Sequence, residues 1–428
     1  MHAEREPVPE GGFVATARFL DCVHCGLCQT ACPTYLELGT EQDSPRGRIH
    51  LMRALQEGRL PVDADAVRHL DLCLGCRGCE TACPSGVRYG TLIEAARPWI
   101  EAHHRRPFHV RLRRRLTVAV LTTPHLLRAL LAPLRLLDRI GVLGLARRTA
   151  GVRSLLAMLP DPLAARAAPA PETAAPEATG ATVLLLVGCV MPELFGNTVR
   201  STIAVLTANG CRVLVPPAGG CCGALALHAG DRARALAQAR RTIAAFEAAT
   251  PPGSTPPIVV NAAGCGALMK EYGALFADDP AWAARAATLA SRVRDATEIL
   301  SELPLRAPTA GAPARRIAYH DACHLAHGQG IRQAPRRLLA GLPGVTVVSM
   351  DDEDLCCGSA GHYNVMQPAM ARRLVGRKVA AIRASGAEVV ATANSGCALQ
   401  LQAALRAAGS PVPVRHLLDL LADAYAHG

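Results

Sequence analysis

Cys22-Val23-His24-Cys25-Gly26-Leu27-Cys28-Gln29-Thr30-Ala31-Cys32-Pro33 returns 51 residues later as Cys73-Leu74-Gly75-Cys76-Arg77-Gly78-Cys79-Glu80-Thr81-Ala82-Cys83-Pro84. Both stretches read C-x2-C-x2-C-x3-C-P. In paired runs of this kind the first three cysteines hold one iron–sulfur cluster and the fourth crosses to the other. The pattern assigns Cys22, Cys25, Cys28 and Cys83 to one [4Fe–4S] centre and Cys73, Cys76, Cys79 and Cys32 to a second. Two-residue spacers let one tight loop wrap three corners of a small cluster, and the proline sends the chain onward in extended form. A lone C-x2-C pair also binds zinc, but two matching runs favour iron and sulfide. A disulfide framework is disfavoured in a long chain whose Met1–Leu20 stretch lacks the charged, apolar and cleavage regions of a secretion signal. The 17 cysteines are therefore expected to work as metal ligands in a reducing compartment.

A length of 428 residues predicts two or three domains, and a hydrophobic share of 50% is enough to fill their cores. Aromatics make up only 3%, which disfavours a stacking platform for nucleic-acid bases, and no nucleic-acid partner is expected. No run of eighteen apolar residues suggests a membrane span; Ala181–Met191 reads as a buried strand instead. Charge is concentrated: between Arg97 and Arg153 stand thirteen arginines against Glu101 and Asp138, a net +11 that equals the excess of the whole chain. Such a concentration points to a local partner surface.

Five regions follow. Residues 1–102 form an α-helical two-cluster ferredoxin-like domain, with helices expected at Ile49–Glu57 and Tyr89–Ala102. Residues 103–160 form a basic amphipathic helical segment that Pro124 and Pro133 should cut into short helices. Arg128, Arg135 and Arg139 share one face of it. Two readings are open there: ordinary helices packed on the ferredoxin unit, or a surface helix on anionic lipid or a partner subunit. Residues 161–180, rich in Ala and Pro, form a linker, disordered or extended. Residues 181–310 and 311–428 are two copies of an α/β unit. The first carries Cys189, Cys221-Cys222-Gly223 and Cys265; the second carries Cys323, Cys356-Cys357-Gly358 and Cys397. In each, three apolar strands alternate with helices, which predicts parallel sheets with the cysteines at the strand ends. The fold class is thus a mixed α+β and α/β multidomain chain. Cys211 has no counterpart and reads as a core residue.

The repeat resembles the cysteine-rich CCG domain of heterodisulfide reductases and related electron-transfer subunits. There the full motif ends in C-x2-C, whereas Leu268 and Gln400 stand at the final position here, and Ala262 and Asn394 exclude an upstream pair. Four thiolates per copy still suffice for one cubane cluster or one zinc ion. Three states stay open for each copy: a further iron–sulfur cluster, a zinc or vacant site, or structural thiols alone. His320, His324 and His327 cluster around Cys323; they read as a polar strand end and helix face, with a ligand or proton-transfer role as the alternative that the lack of equivalents in the first copy disfavours.

Taken over its length, the chain resembles iron–sulfur subunits of bacterial glycolate oxidase, through CVHCGLCQTACPTYLELGTEQDSPRGRIHLMR, CRGCETACPSGVRYGTL, AGCCGA, GCGALMKEYG and LCCGSAGHYNVMQP. The resemblance implies an electron-transfer subunit of an oxidoreductase complex. FAD-containing dehydrogenase subunits would oxidise glycolate, and this chain would pass the electrons to a membrane quinone or similar acceptor. It would be cytoplasmic, peripheral at the inner membrane, and not catalytic towards glycolate alone; it shows no dinucleotide fingerprint and no nucleophile elbow. Two neighbouring readings remain: the iron–sulfur subunit of a D-lactate or glycerol-3-phosphate dehydrogenase, and a heterodisulfide-reductase-like enzyme.

Overall fold

A computed structural model describes residues 8–146, 149, 158–160, 162–163, 165–174, 181–217, 219–306 and 315–426. The N-terminal region is helical. Ser44 caps the helix Pro45–Gln56 by accepting from the Gly47 amide, and Pro45 occupies its first turn. Gly47 cannot be replaced: a Cβ there would lie 1.9 Å from the Glu41 carbonyl oxygen. This helix, Ala64–Asp71 and Tyr89–His103 bury Ile49, Met52, Val67, Leu70, Leu92 and Ile93 in one core.

The basic segment forms two long helices, Phe108–Thr122 and Pro124–Arg139, bent by 89° at Thr123. Pro124 breaks the segment as expected, but the second helix runs through Pro133. Ala129 and Pro133 lie on an exposed face, where the carbonyl left unpaired meets water. Among the described residues no single helix is long and apolar enough to cross a membrane. Arg128 and Arg135 do not point outward as a free basic face: both bind the fully buried carboxylate of Glu193, at 3.1 and 3.2 Å. Arg147, Arg148 and Arg153 lie outside the described residues.

Part of the expected linker is tied down. Arg166 also bonds Glu193, Ala167 is buried with its amide on the Pro192 carbonyl, and Glu172–Thr173 forms a short strand, β1. Residues 175–180 lie outside the described residues.

The two repeats build sheets of the same plan. In the first, β2 (Thr182–Leu186), β3 (Arg212–Leu214), β4 (Ile258–Val260) and β5 (Val293–Asp295) run parallel in the order β3-β2-β4-β5, with β1 antiparallel on the outer edge of β3. In the second, β6 (Arg315–His320), β7 (Val345–Val348), β8 (Val389–Thr392) and β9 (Val414–His416) run parallel in the order β7-β6-β8-β9. Each sheet thus has a fourth parallel strand that the sequence reading missed. Val293-Arg294-Asp295 and Val414-Arg415-His416 are three residues long and carry charge, so neither shows an apolar run. Cys211 is fully buried in a core shared by both repeats.

Candidate metal centres

The two cysteine loops share a backbone. The residues two and four after the first cysteine take left-handed φ in both: His24 (56°) and Gly26 (86°) in one, Gly75 (66°) and Arg77 (63°) in the other. The turn is therefore imposed by the loop's role and not by glycine alone, because two non-glycine residues accept it. Arg46 bonds the His24 carbonyl at 2.8 Å and holds the first loop against the Pro45–Gln56 helix.

Cys32 leaves its own loop. With Cys73, Cys76 and Cys79 it lines one cavity, bordered by Thr34, Arg48 and Tyr89. Cys22, Cys28 and Cys83 each border the N-terminal core, and Cys25 is exposed. The donor set of the cavity is all thiol and drawn from both runs, which fits an iron–sulfur cluster. Its surroundings supply positive charge and hydrogen-bond donors to sulfur. Arg48 is fully buried and reaches the Cys32 Sγ at 3.8 Å, Thr34 Oγ1 lies 3.3 Å from the same sulfur, and the Tyr89 hydroxyl and Gly75 amide donate to Cys73 Sγ at 3.5 and 3.4 Å. Burial opposes the charge on Arg48, yet Cys73, Tyr89, Cys32 and Asp43 together hold its pKa above the ordinary value. Burial pushes the thiols of Cys76 and Cys79 well up and that of Cys28 up to about 11. These sites therefore release protons as they take up metal.

Donors and charge around cluster sulfurs set the reduction potential. Arg48→Met should therefore lower the potential of the second centre by on the order of 100 mV, equivalent to ~2 kcal/mol of charge interaction. The first centre should stay within about a tenth of that shift. A redox titration followed by electron paramagnetic resonance reads both.

In the first repeat the thiols of Cys189, Cys221, Cys222 and Cys265 form a contact chain in that order. In the second, Cys323 Sγ lies 3.9 Å from Cys356 Sγ, and the chain continues through Cys357 to Cys397. All eight stand beyond the C-terminal ends of the strands, several at helix N-termini: Cys265 in Ala263–Lys270, Cys323 in Cys323–Ala326 and Cys397 in Ser395–Ala407. At Gly223 (φ 95°) and Gly358 (φ 84°) a Cβ would strike the carbonyl oxygen of Ala235 at 2.8 Å or of Ala371 at 3.1 Å, so each glycine lets the thiol turn press on the following helix. Leu268 is buried, and Gln400 accepts from Asn364 at 3.0 Å.

The centres are not isolated. Leu72, Leu74 and Cys76 of the second ferredoxin loop share an apolar cluster with Cys323, Cys356 and Tyr363, and the Tyr363 hydroxyl donates to the Leu72 carbonyl at 3.0 Å. Arg77 crosses to the other repeat, paired with Glu271 and, at 3.1 Å, with Glu94. One cysteine loop thus touches both repeats. The sequence reading missed this junction; of the three histidines it named around Cys323, the structure brings His320, fully buried, beside Cys357 and Cys397. His327 instead bonds Thr81 and the Asp354 carbonyl.

The fold and its thiol sets define an iron–sulfur protein with a dicluster ferredoxin domain and two cysteine-rich domains. Residues 18–87 match the 4Fe-4S dicluster domain family, and residues 183–270 and 317–402 match the cysteine-rich domain family. The probable glycolate oxidase iron-sulfur subunit of Bacillus subtilis is 36% identical over 95% of this chain and 94% of its own length. The glycolate oxidase iron-sulfur subunit of Escherichia coli is 37% identical over 94% of this chain and 93% of its own. Lactate utilization protein A of an Exiguobacterium species is 32% identical over 56% of this chain and 96% of its own. The chain belongs to the family of glycolate oxidase iron–sulfur subunits.

Proposed function

We propose that this chain is the electron-transfer subunit of a glycolate-oxidising complex, taking electrons from FAD-containing dehydrogenase subunits and delivering them to a membrane quinone or similar acceptor. Cys22, Cys25, Cys28 and Cys83 hold one [4Fe–4S] cluster, and Cys73, Cys76, Cys79 and Cys32 hold the other. Cys189, Cys221, Cys222 and Cys265, and Cys323, Cys356, Cys357 and Cys397, provide further metal sites. The observation that carries the reading is the cavity that Cys32 shares with Cys73, Cys76 and Cys79, set against Cys323 and Cys356 of the second repeat. When bound, the clusters supply one-electron uptake and release. The residues of the chain position them, shield them from water and bias their charge through Arg48. Cys25 is exposed beside Val23 and Leu27, both also exposed, and this apolar rim is where a partner approaches the first centre.

The bent helical arm faces an anionic membrane surface on the cytoplasmic side of the inner membrane. Phe108, Leu112 and Leu116, spaced by four, form an exposed apolar stripe with exposed Arg111 and Arg115 beside it, and Leu130 and Leu136 on the second helix and Ile140 at its end are exposed as well.

The test is reconstitution. The purified chain, free of flavin, should show no glycolate:dye turnover, and adding the flavin subunits should restore it. Turnover by the chain alone would overturn the reading. A complex that turns over D-lactate and not glycolate would move it to the lactate alternative.

A further inference from the structure

The two cysteine-rich domains differ at one interior position. Cys323 and Cys189 are equivalent, so His320, the last residue of β6, stands where β2 ends in Leu186. Leu186 is an ordinary core side chain. His320 is 0% exposed; neither Nδ1 nor Nε2 has a partner at full hydrogen-bond geometry, and the group that reaches the ring is the Cys357 thiol. Buried imidazoles are normally satisfied at one nitrogen or both, and a ring whose only close polar contact is a weak one to a thiol is open to a stronger partner. The groups that face it are thiols. One donor atom each from His320, Cys357 and Cys397 lie within 4.8 Å of one another, and all three residues are buried. Among the described residues no other three His, Cys, Asp or Glu side chains bring their donor atoms this close. Cys356 adjoins Cys357, and Cys323 Sγ lies 3.9 Å from Cys356 Sγ. That is about the sulfur–sulfur separation of two thiolates on one tetrahedral ion with metal–sulfur bonds of about 2.3 Å.

We infer that His320 is a metal ligand, so that the second cysteine-rich domain holds a mixed imidazole–thiolate centre built on His320, Cys357 and Cys397 and completed by Cys323 or Cys356. The inference rests on the reading that this repeat binds metal and adds the nitrogen donor. The first repeat offers four thiols and a leucine, so the two copies are chemically distinct. Zinc and the iron of an iron–sulfur cluster both accept this donor set. Exchanging an anionic thiolate for a neutral imidazole removes one negative charge from the centre. If iron occupies it, the potential rises relative to an all-thiolate cluster, which suits a site lying against Cys76 at the far side of the ferredoxin loop.

The experiment uses the full chain purified anaerobically, with iron and zinc counted per chain. Nitrogen coupling is read by pulsed electron paramagnetic resonance for an iron centre, and imidazole scattering by X-ray absorption for zinc; the two arms identify the metal. The native chain should show a histidine nitrogen at the metal. His320→Leu, which installs the residue of the first repeat, should abolish that signature and lower the metal content of this site several-fold, with both ferredoxin signals retained. His320→Cys should restore the metal without the nitrogen. Cys357→Ser should also deplete the site. If Cys357→Ser removes metal while His320→Leu leaves content and spectrum unchanged, or if the native spectrum shows no nitrogen, His320 is not a ligand. If neither variant changes the metal content, the reading that this repeat binds metal fails with it.

Discussion

Cys83→Ser should destroy the cluster held by Cys22, Cys25 and Cys28 and leave the nearer run intact. Cys83 follows Cys79 by four residues, so a purely local view would assign it to the second loop. Cys83 does not line the cavity of Cys73, Cys76 and Cys79, where Cys32 takes the place instead. The loss should be about four irons per chain, the content of one cubane cluster. The reciprocal Cys32→Ser variant should damage the second centre, and with more effect on the rest of the chain, because that cavity abuts Leu72, Cys323 and Tyr363. Electron paramagnetic resonance of the two reduced variants distinguishes the sites. Damage from Cys83→Ser confined to the Cys73 loop would contradict the crossed assignment.

The second large effect concerns the helical arm. Arg128→Glu with Arg135→Glu would set two carboxylates against Glu193, whose side chain is fully buried and which also receives Arg166. Removing the partners of a buried charge costs on the order of 3 kcal/mol. The value is held to the low end because Arg128 is half exposed and its contribution is screened. The arm should detach, with Pro124–Arg139 becoming open to protease and its amides exchanging rapidly. The charge reversal therefore cannot report on lipid. Leu130→Ser, Leu136→Ser and Ile140→Ser change only exposed side chains and should weaken sedimentation with anionic vesicles about tenfold or more, with the complex intact and the fold unchanged. Rising salt should weaken sedimentation of the native chain as well. Subunits lost along with sedimentation would instead make the arm a protein interface.

Much of this was legible from spacing alone. The paired runs fix the ferredoxin loops because ligand geometry demands those intervals, and the matched cysteine intervals announce the duplication that the two sheets display. What stayed hidden depends on contacts between segments far apart in sequence. Glu193 sits in an unremarkable Met191-Pro192-Glu193-Leu194 turn, and nothing in that turn reveals that three arginines converge on it. β5 and β9 are too short and too charged to show a strand period. His320 closes an apolar strand, where a polar strand end and a ligand are both open readings; its depth and the two thiols beside it are what the sequence could not show. One signal was available: a histidine at the position where the other copy has leucine.

The most direct test of the central claim is a freeze-quench experiment on the reconstituted complex. It is mixed anaerobically with glycolate, and flavin, cluster and acceptor reduction are followed in time by optical absorbance and electron paramagnetic resonance. The account predicts that cluster signals appear after flavin reduction and before acceptor reduction, and that Cys83→Ser breaks the sequence at the flavin. Acceptor reduction at an undiminished rate while the clusters of this chain stay oxidised would contradict it.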